Sequence, residues 1–146
     1  MQHNKPLSIK DKSYSDLYLN IRDDWDPILA KAGHDIVLHV QKSPLSYLEQ
    51  IQFASFRRII EINISDFQLK NLLNYFCGQR APLLKYHFAI IEDDYITTIT
   101  QEDLAEADKT GLFYHPKTGE KVDNYEEKIY VMYDLNDKFT ELKKKS

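Results

Sequence analysis

The spacing of apolar residues in the first part of the chain follows the period of a helix. Leucine and isoleucine four residues apart predict a helix over Ser13–Arg22. Asp26 followed by Pro27 is a typical helix start, and Gly33 then predicts the end of this second helix. Further helices are predicted after Ser43–Pro44, from Ser65 or Asp66 to Gly78, from Thr100 to about Lys109, and after Asn136 or Asp137.

Runs of β-branched residues and alternating apolar positions predict the strands. The predicted strands are Ile36–Val40, Arg58–Ile64, Leu84–Ile91, Tyr95–Ile99 and Lys128–Tyr133. A small hairpin is also expected over Gly111–Val122. Helices and strands in this order predict an α+β fold, with a mixed, mainly antiparallel sheet of about four to five strands packed with helices.

Length and composition indicate a globular chain. It has 146 residues, of which 42% are hydrophobic and 29% charged. These values are typical of one globular domain. We expect a flexible N-terminal tail over residues 1–12 and a single globular α+β domain over residues 13–146. Ile62, Leu72 and Ile90 lie on the apolar faces of their elements and are predicted core residues.

Several classes of protein are excluded or disfavoured by the counts. The single cysteine, Cys77, excludes an intrachain disulfide framework and multi-cysteine metal sites, and four scattered glycines form no phosphate-binding loop. Residues 1–12 show no apolar signal-peptide region, and no apolar run approaches the roughly 18 residues that span a bilayer. We therefore expect a cytoplasmic protein with no membrane partner.

Acidic residues are concentrated in the second half of the chain. The net charge is −4, but Glu92–Glu141 holds 14 acidic residues and five lysines, whereas residues 1–73 are balanced. This distribution disfavours direct nucleic-acid binding, which needs clustered Lys and Arg. It favours a basic protein partner, while an ordinary solvated face is the alternative interpretation.

Candidate catalytic and metal-binding groups are few. His39 and His87 lie in predicted strands, and they would form part of a metal site if those strands paired. Glu126 and Lys128 resemble the second half of a metal-dependent nuclease signature, with Asp93 or Asp94 as the partner acid. Cys77 follows an apolar helix, where a reactive thiolate is not stabilised. Ordinary packing explains each of these groups as well, so no catalytic residue, metal or cofactor is predicted.

Tyrosines interleaved with the acidic residues suggest a protein-binding surface. Tyrosine is enriched at interface hot spots because its ring offers contact area and its hydroxyl tolerates water. The predicted partner-binding residues are Asp93, Asp94, Glu106, Asp123, Tyr125 and Glu126.

These features favour a small acidic binding module over an enzyme. The expected function is that of an inhibitor or immunity protein that neutralises a basic partner, such as a bacterial nuclease toxin. The likeness to bacterial immunity proteins is one of general style, without a shared motif. The alternatives are a regulatory or structural subunit without chemistry of its own, and a metal-dependent nuclease-like enzyme. The sequence predicts no oligomeric state.

Overall fold

A computed structural model describes residues 9–93 and 95–145, and it shows an α+β fold. The helices in this part of the chain are α1 (Ile9–Asp24), α2 (Pro27–Lys42), α3 (Phe53–Ile59), α4 (Asp66–Phe76), α5 (Gln101–Thr110), α6 (Tyr125–Lys128) and α7 (Asp137–Lys144). A short 3₁₀ turn covers Leu45–Tyr47. The strands are β1 (Leu84–Glu92), β2 (Tyr95–Ile99) and β3 (Ile129–Leu135).

The described strands form one antiparallel sheet of three strands in the order β2-β1-β3. β1 pairs with β2 from Phe88↔Ile99 to Glu92↔Tyr95. On its other side β1 pairs with β3 from Leu84↔Leu135 to Ile90↔Ile129. The predicted class is therefore confirmed, while the predicted strand number of about four to five is too high.

The main hydrophobic core lies between the helices and one end of the sheet. α2 and α4 contribute buried residues at helical spacing. The start of β1 and the end of β3 contribute further buried residues to the same core. The fully buried side chains of this core include Ile36, Val37, Leu69, Leu72, Phe76 and Leu83. Leu72 confirms one predicted core residue, whereas Ile62 is only half-buried.

A second, smaller hydrophobic cluster lies at the other end of the sheet. Its buried members are Ile90 and Ile99 from paired strands, Ala107 from α5 and Phe113 from the following loop. Ile90 is fully buried, as predicted. The long β1 strand thus links two apolar clusters, one beneath the helices and one beneath the acidic segment.

Side-chain caps fix the helix ends that the sequence predicted. Ser65 begins α4 through a capping box with Gln68, and Thr100 begins α5 through a capping box with Asp103. Asp26 accepts a hydrogen bond from the backbone N–H of Leu29 at 2.9 Å. All of these hydrogen bonds satisfy backbone N–H groups that have no partner within the helix.

The predicted strand Ile36–Val40 is wrong, because this segment is the second half of α2. Gly33 does not end the helix but lies inside it, where α1 and α2 approach closely. A Cβ atom at Gly33 would lie 3.0 Å from Cγ2 of Ile21. The glycine therefore serves helix packing rather than helix termination.

The predicted strand Arg58–Ile64 is also wrong, because α3 ends at Ile59 and the remaining residues join no sheet. The alternation itself is real: Ile60 and Ile64 are buried, and Glu61 between them is exposed. The extended segment packs its isoleucines on the main core without a strand partner, and the Arg57 guanidinium donates to the carbonyl of Ile64 at 2.6 Å.

Other boundaries differ by smaller amounts. α1 begins at Ile9, before the predicted start at Ser13, and residues 1–8 of the predicted tail lie outside the described part. The segment after Pro44 forms a short 3₁₀ turn and then α3, instead of one continuous helix. The predicted small hairpin over Gly111–Val122 is present: Tyr114 and Lys121 form an antiparallel bridge, and the N–H groups of Val122 and His115 donate to the carbonyls of Phe113 and Glu120, both at 2.8 Å. Within residues 9–93 and 95–145, every helix is too short or too polar to cross a membrane.

Candidate functional site

The acidic residues gather around the smaller hydrophobic cluster. We call residues 92–128 the acidic lobe; this segment contains 11 acidic residues and four lysines. The lobe comprises the end of β1, β2, α5, the following loop and α6. Its apolar side chains face Phe113 and Ala107, so most of its carboxylates remain on the outside.

α5 carries four acidic residues of the lobe. Thr100 and Asp103 cap its first turn, and Gly111 ends it in the left-handed conformation with φ of 76°. The buried residue of this helix is Ala107, which leaves Glu106 on the exposed face. The amphipathic pattern of α5 therefore directs its acidic residues toward the solvent.

Three of the predicted partner-binding residues line one cavity. Asp123, Tyr125 and Glu126 lie around an open cavity of about 340 Å³. Phe113 and Lys121 also line this cavity, and the Nζ of Lys121 lies 3.9 Å from Oδ1 of Asp123. These three residues are close in sequence, and the fold adds Phe113 to the same cavity.

Tyr125 has a larger structural role than the sequence indicated. Its ring stacks on Phe113 with centroids 5.5 Å apart, and its hydroxyl donates to the carbonyl of Ala107 at 3.4 Å. Burial raises the pKa of Tyr125, and the carboxylates of Glu126 and Asp108 raise it further. The residue is half-buried, so it supports the surface at least as much as it offers contact area.

The other predicted contacts are exposed carboxylates. Asp93, at the tip of the β1–β2 hairpin, adopts the left-handed conformation with φ of 48°. Within the described part of the chain, Asp93, Glu106 and Glu126 make no ion pair, so their charges are not neutralised locally. Asp94 lies outside the described residues.

His115 organises the loop beside these carboxylates, a role that sequence reasoning missed. Its side chain is buried, and its Nδ1 accepts hydrogen bonds from the backbone N–H groups of Lys117 and Thr118 at 3.1 and 3.4 Å. Its Nε2 faces Glu92 at 3.4 Å. The sequence places His115 before a proline, but it does not show that the ring folds back beneath the loop.

The acids and Lys128 that resemble part of a nuclease signature are not brought together in one site. Glu126 and Lys128 lie on the short helix α6 rather than at the start of a strand. Lys128 lines a cavity of about 240 Å³ with Glu92 and His115, whereas Glu126 lines the neighbouring one. Asp93 lines neither of these cavities.

His87 forms a separate polar pair with Asp134 across the sheet. Its Nδ1 lies 2.6 Å from Oδ2 of Asp134, and the backbone N–H of Gln50 donates to Oδ1 of the same carboxylate at 2.9 Å. The pair lines an open cavity of about 510 Å³ together with Lys85 and Thr98. The Nε2 atom of His87 is buried and has no hydrogen-bond partner in the described part of the chain.

His39 and His87 were candidates for a metal site only if two predicted strands paired, and this condition is not met because His39 lies on α2. His39 is exposed and lines a different cavity from His87. Within residues 9–93 and 95–145, no three His, Cys, Asp or Glu side chains are grouped closely enough to hold a metal ion.

The acidic run beside Trp25 has a structural explanation. Asp24 accepts hydrogen bonds from the Arg80 guanidinium at 2.8 and 3.0 Å and from the Tyr75 hydroxyl at 2.6 Å. The hydrogen bonds from Arg80 and then from Tyr75 hold the pKa of Asp24 below its usual value. Asp26 caps α2, so this carboxylate also has a local role.

Cys77 is the C-cap residue of α4 and is half-buried. Burial raises the pKa of its thiol to about 11. The thiolate that a nucleophile requires is therefore scarce at neutral pH.

Comparison of the chain with protein families, with curated proteins and with solved structures gave no match.

Proposed function

We propose that the chain is a small acidic binding module whose acidic lobe docks a basic protein partner. The observation that carries the proposal is the group of exposed carboxylates at Asp93, Glu106 and Glu126, which no ion pair in the described residues neutralises. Such a surface speeds the encounter with a positively charged protein and rejects acidic ones. An inhibitor or immunity protein that neutralises a basic toxin, such as a nuclease, requires a surface of this kind.

The lobe also offers features beyond charge that support a specific interface. Aromatic rings at Tyr95 and Tyr114 are exposed among the carboxylates. Buried aromatic contact supplies the affinity that long-range charge alone does not, because surface ion pairs are weak individually. The packed cluster of Phe113 and Tyr125 holds this surface in shape before a partner arrives.

The polar groups elsewhere support catalysis less well. A histidine that acts as a general base must reach the proton that it removes, and the Nε2 atom of His87 is buried. We therefore propose a non-enzymatic role, in which the His87–Asp134 pair stabilises the sheet. We also propose that the protein acts in the cytoplasm.

Charge reversal at the lobe tests the proposal. The variant Asp93→Lys/Glu106→Lys/Glu126→Lys replaces three exposed carboxylates that have no local ion pair. The matched control reverses three exposed carboxylates of the N-terminal half, namely Asp16, Glu49 and Glu61. Because both variants change the net charge equally, a difference between them reports on position rather than on total charge.

The measurement is capture of proteins from an extract of the source organism, followed by association kinetics with the captured protein. We expect the wild type and the control to capture the same basic protein, and the lobe variant to bind it with slower association. The association rate of the wild type should fall as salt rises from about 50 to about 300 mM. Equal binding by the lobe variant, or a captured complex that is insensitive to salt, contradicts the proposal; the second result favours a constitutive subunit.

A further inference from the structure

β2 forms an open edge of the sheet inside the acidic lobe. β1 covers one side of β2, and within the described residues no strand pairs with its other side. Its five residues, Tyr95–Ile99, contain no charge, proline or glycine. Edge strands in natural proteins are usually protected by such residues or by bulges, because a bare edge accepts further strands.

The pairing pattern shows which backbone groups of β2 are free. On the outer side of β3, Tyr133 exchanges hydrogen bonds with Ile51 at 2.7 and 2.9 Å, so its backbone groups point away from β1. In an antiparallel ladder the direction alternates along each strand, so Tyr86, opposite Tyr133, directs its backbone groups toward β2. Phe88 does the same, two residues further along β1.

The same alternation then continues across β2. Ile99, opposite Phe88, bonds to β1, and Thr97 lies in the same orientation. Ile96 and Thr98 consequently direct their N–H and C=O groups outward. No hydrogen bond of the described part of the chain uses these outward groups, and the Ile96 side chain is 38% exposed.

The charges at the two ends of β2 identify the occupant. Asp93 precedes the strand in the hairpin turn, and Glu102 follows it in the first turn of α5. Both carboxylates are exposed and form no ion pair in the described part of the chain. A second copy on this edge would bring two acidic lobes together, and like charges at an interface are costly. A segment with cations at both ends avoids this repulsion and is attracted to both carboxylates.

We propose that an extended basic segment of the protein partner adds to β2 as a further strand of the sheet. Main-chain hydrogen bonds to Ile96 and Thr98 hold the added strand, and flanking Lys or Arg side chains meet Asp93 and Glu102. At about 3.4 Å per residue, five residues of β2 span roughly 17 Å, which sets the separation of the two basic ends. This mode of binding rests on the proposed function, because it assumes a basic partner at the acidic lobe.

A synthetic peptide serves as the probe. The sequence Lys-Lys-Thr-Val-Thr-Val-Thr-Lys-Lys, blocked at both ends, places a five-residue strand between two pairs of lysines. Two control peptides replace either the four lysines by glutamates or the central threonine by proline. Fluorescence anisotropy at low salt should show binding of the lysine peptide, with at least about tenfold weaker binding of both controls.

Amide hydrogen exchange of the wild-type protein locates the bound peptide. The N–H groups of Ile96 and Thr98 should exchange quickly in the free protein and slow on addition of the lysine peptide. The inward N–H of Thr97 should be protected already, because it bonds within the hairpin. The substitution Thr98→Pro removes one outward donor and should weaken peptide binding about tenfold or more, whereas Thr98→Val changes only the side chain and should not.

Each result decides the inference. Binding with new protection at Ile96 and Thr98 supports strand addition, even where Thr98→Pro disturbs the fold. Binding without that protection, or no binding of the lysine peptide at low salt, overturns strand addition on β2. The proposed function is judged separately, by capture of a basic partner with the lobe variant and its control, so the two failures are distinguishable.

Discussion

Removal of the Phe139 ring tests whether α7 is part of the main core. The side chain of Phe139 is 1% exposed, and its ring centroid lies 5.1 Å from that of Tyr14. Truncation of a buried Phe to Ala costs about 3–5 kcal/mol. We therefore expect Phe139→Ala to lower the free energy of unfolding by about 3 kcal/mol.

Urea unfolding followed by the fluorescence of Trp25 measures this change. With a slope of about 2 kcal/mol/M, the midpoint should fall by about 1.5 M. The matched control is Phe67→Ala on α4, because the Phe67 side chain is 72% exposed and its loss should change stability by less than about 0.5 kcal/mol. Equal losses in the two variants, or a loss below about 1 kcal/mol for Phe139→Ala, would refute the packing of α7 on the core.

Three further predictions concern the packing and titration of particular groups. Gly33→Val should lower stability by about 1–3 kcal/mol, because a Cβ at this position already lies 3.0 Å from Ile21; an unchanged melting temperature would show that the helices have room to separate. Burial raises the pKa of the Cys77 thiol to about 11, so at pH 8 its reaction with a nitrobenzoate disulfide reagent should be at least about 100-fold slower in the folded protein than in urea; a comparable rate in both states would contradict the burial. Arg80 lowers the pKa of Asp24 in the folded state. The Asp24–Arg80 ion pair therefore stabilises the fold above the ordinary Asp pKa of about 4, and this stabilisation is lost as the pH falls from there through the lower folded-state pKa. The melting temperatures of the wild type and Arg80→Leu should therefore differ at pH 7 and converge below about pH 4, and a difference that is constant with pH would argue against this ion pair.

The elements that the sequence predicted correctly are those with local chemical signals. Ser65 and Thr100 bond to backbone groups three residues away, so their capping boxes are independent of the tertiary fold. The β1–β2 hairpin likewise follows from two strands joined by a short turn. Such features are readable because both partners of each interaction are close in sequence.

The errors arose where tertiary contacts decide between two local interpretations. The run Ile36–Val40 is rich in β-branched residues and follows a glycine, which favours a strand by composition. In the structure, Gly33, Ile36, Val37 and Val40 are all buried, at the spacing of a helix. The requirement for a glycine at the α1–α2 crossing is a property of the packed pair, and only its consequence is visible in the sequence.

The candidate surface was predictable in its charge but not in its construction. The excess of carboxylates after Glu92 is a count, and the sequence contains it directly. The stacking of Tyr125 on Phe113 and the fold of His115 beneath its loop depend on residues brought together by the chain's path. The open edge of β2 requires the strand order, which no local pattern specifies.

The two hydrophobic clusters imply that the molecule opens in parts. Among the residues that the structure describes, the smaller cluster has four buried members, and it is joined to the rest of the protein mainly through β1 and its ladders. Segments with little buried apolar area unfold locally at a free energy below that of global unfolding. The amides of α5 should therefore exchange through such partial openings before those of α4, whose Leu69, Leu72 and Phe76 are fully buried. The lobe should then open and close as a separate cooperative unit while the helical core stays folded.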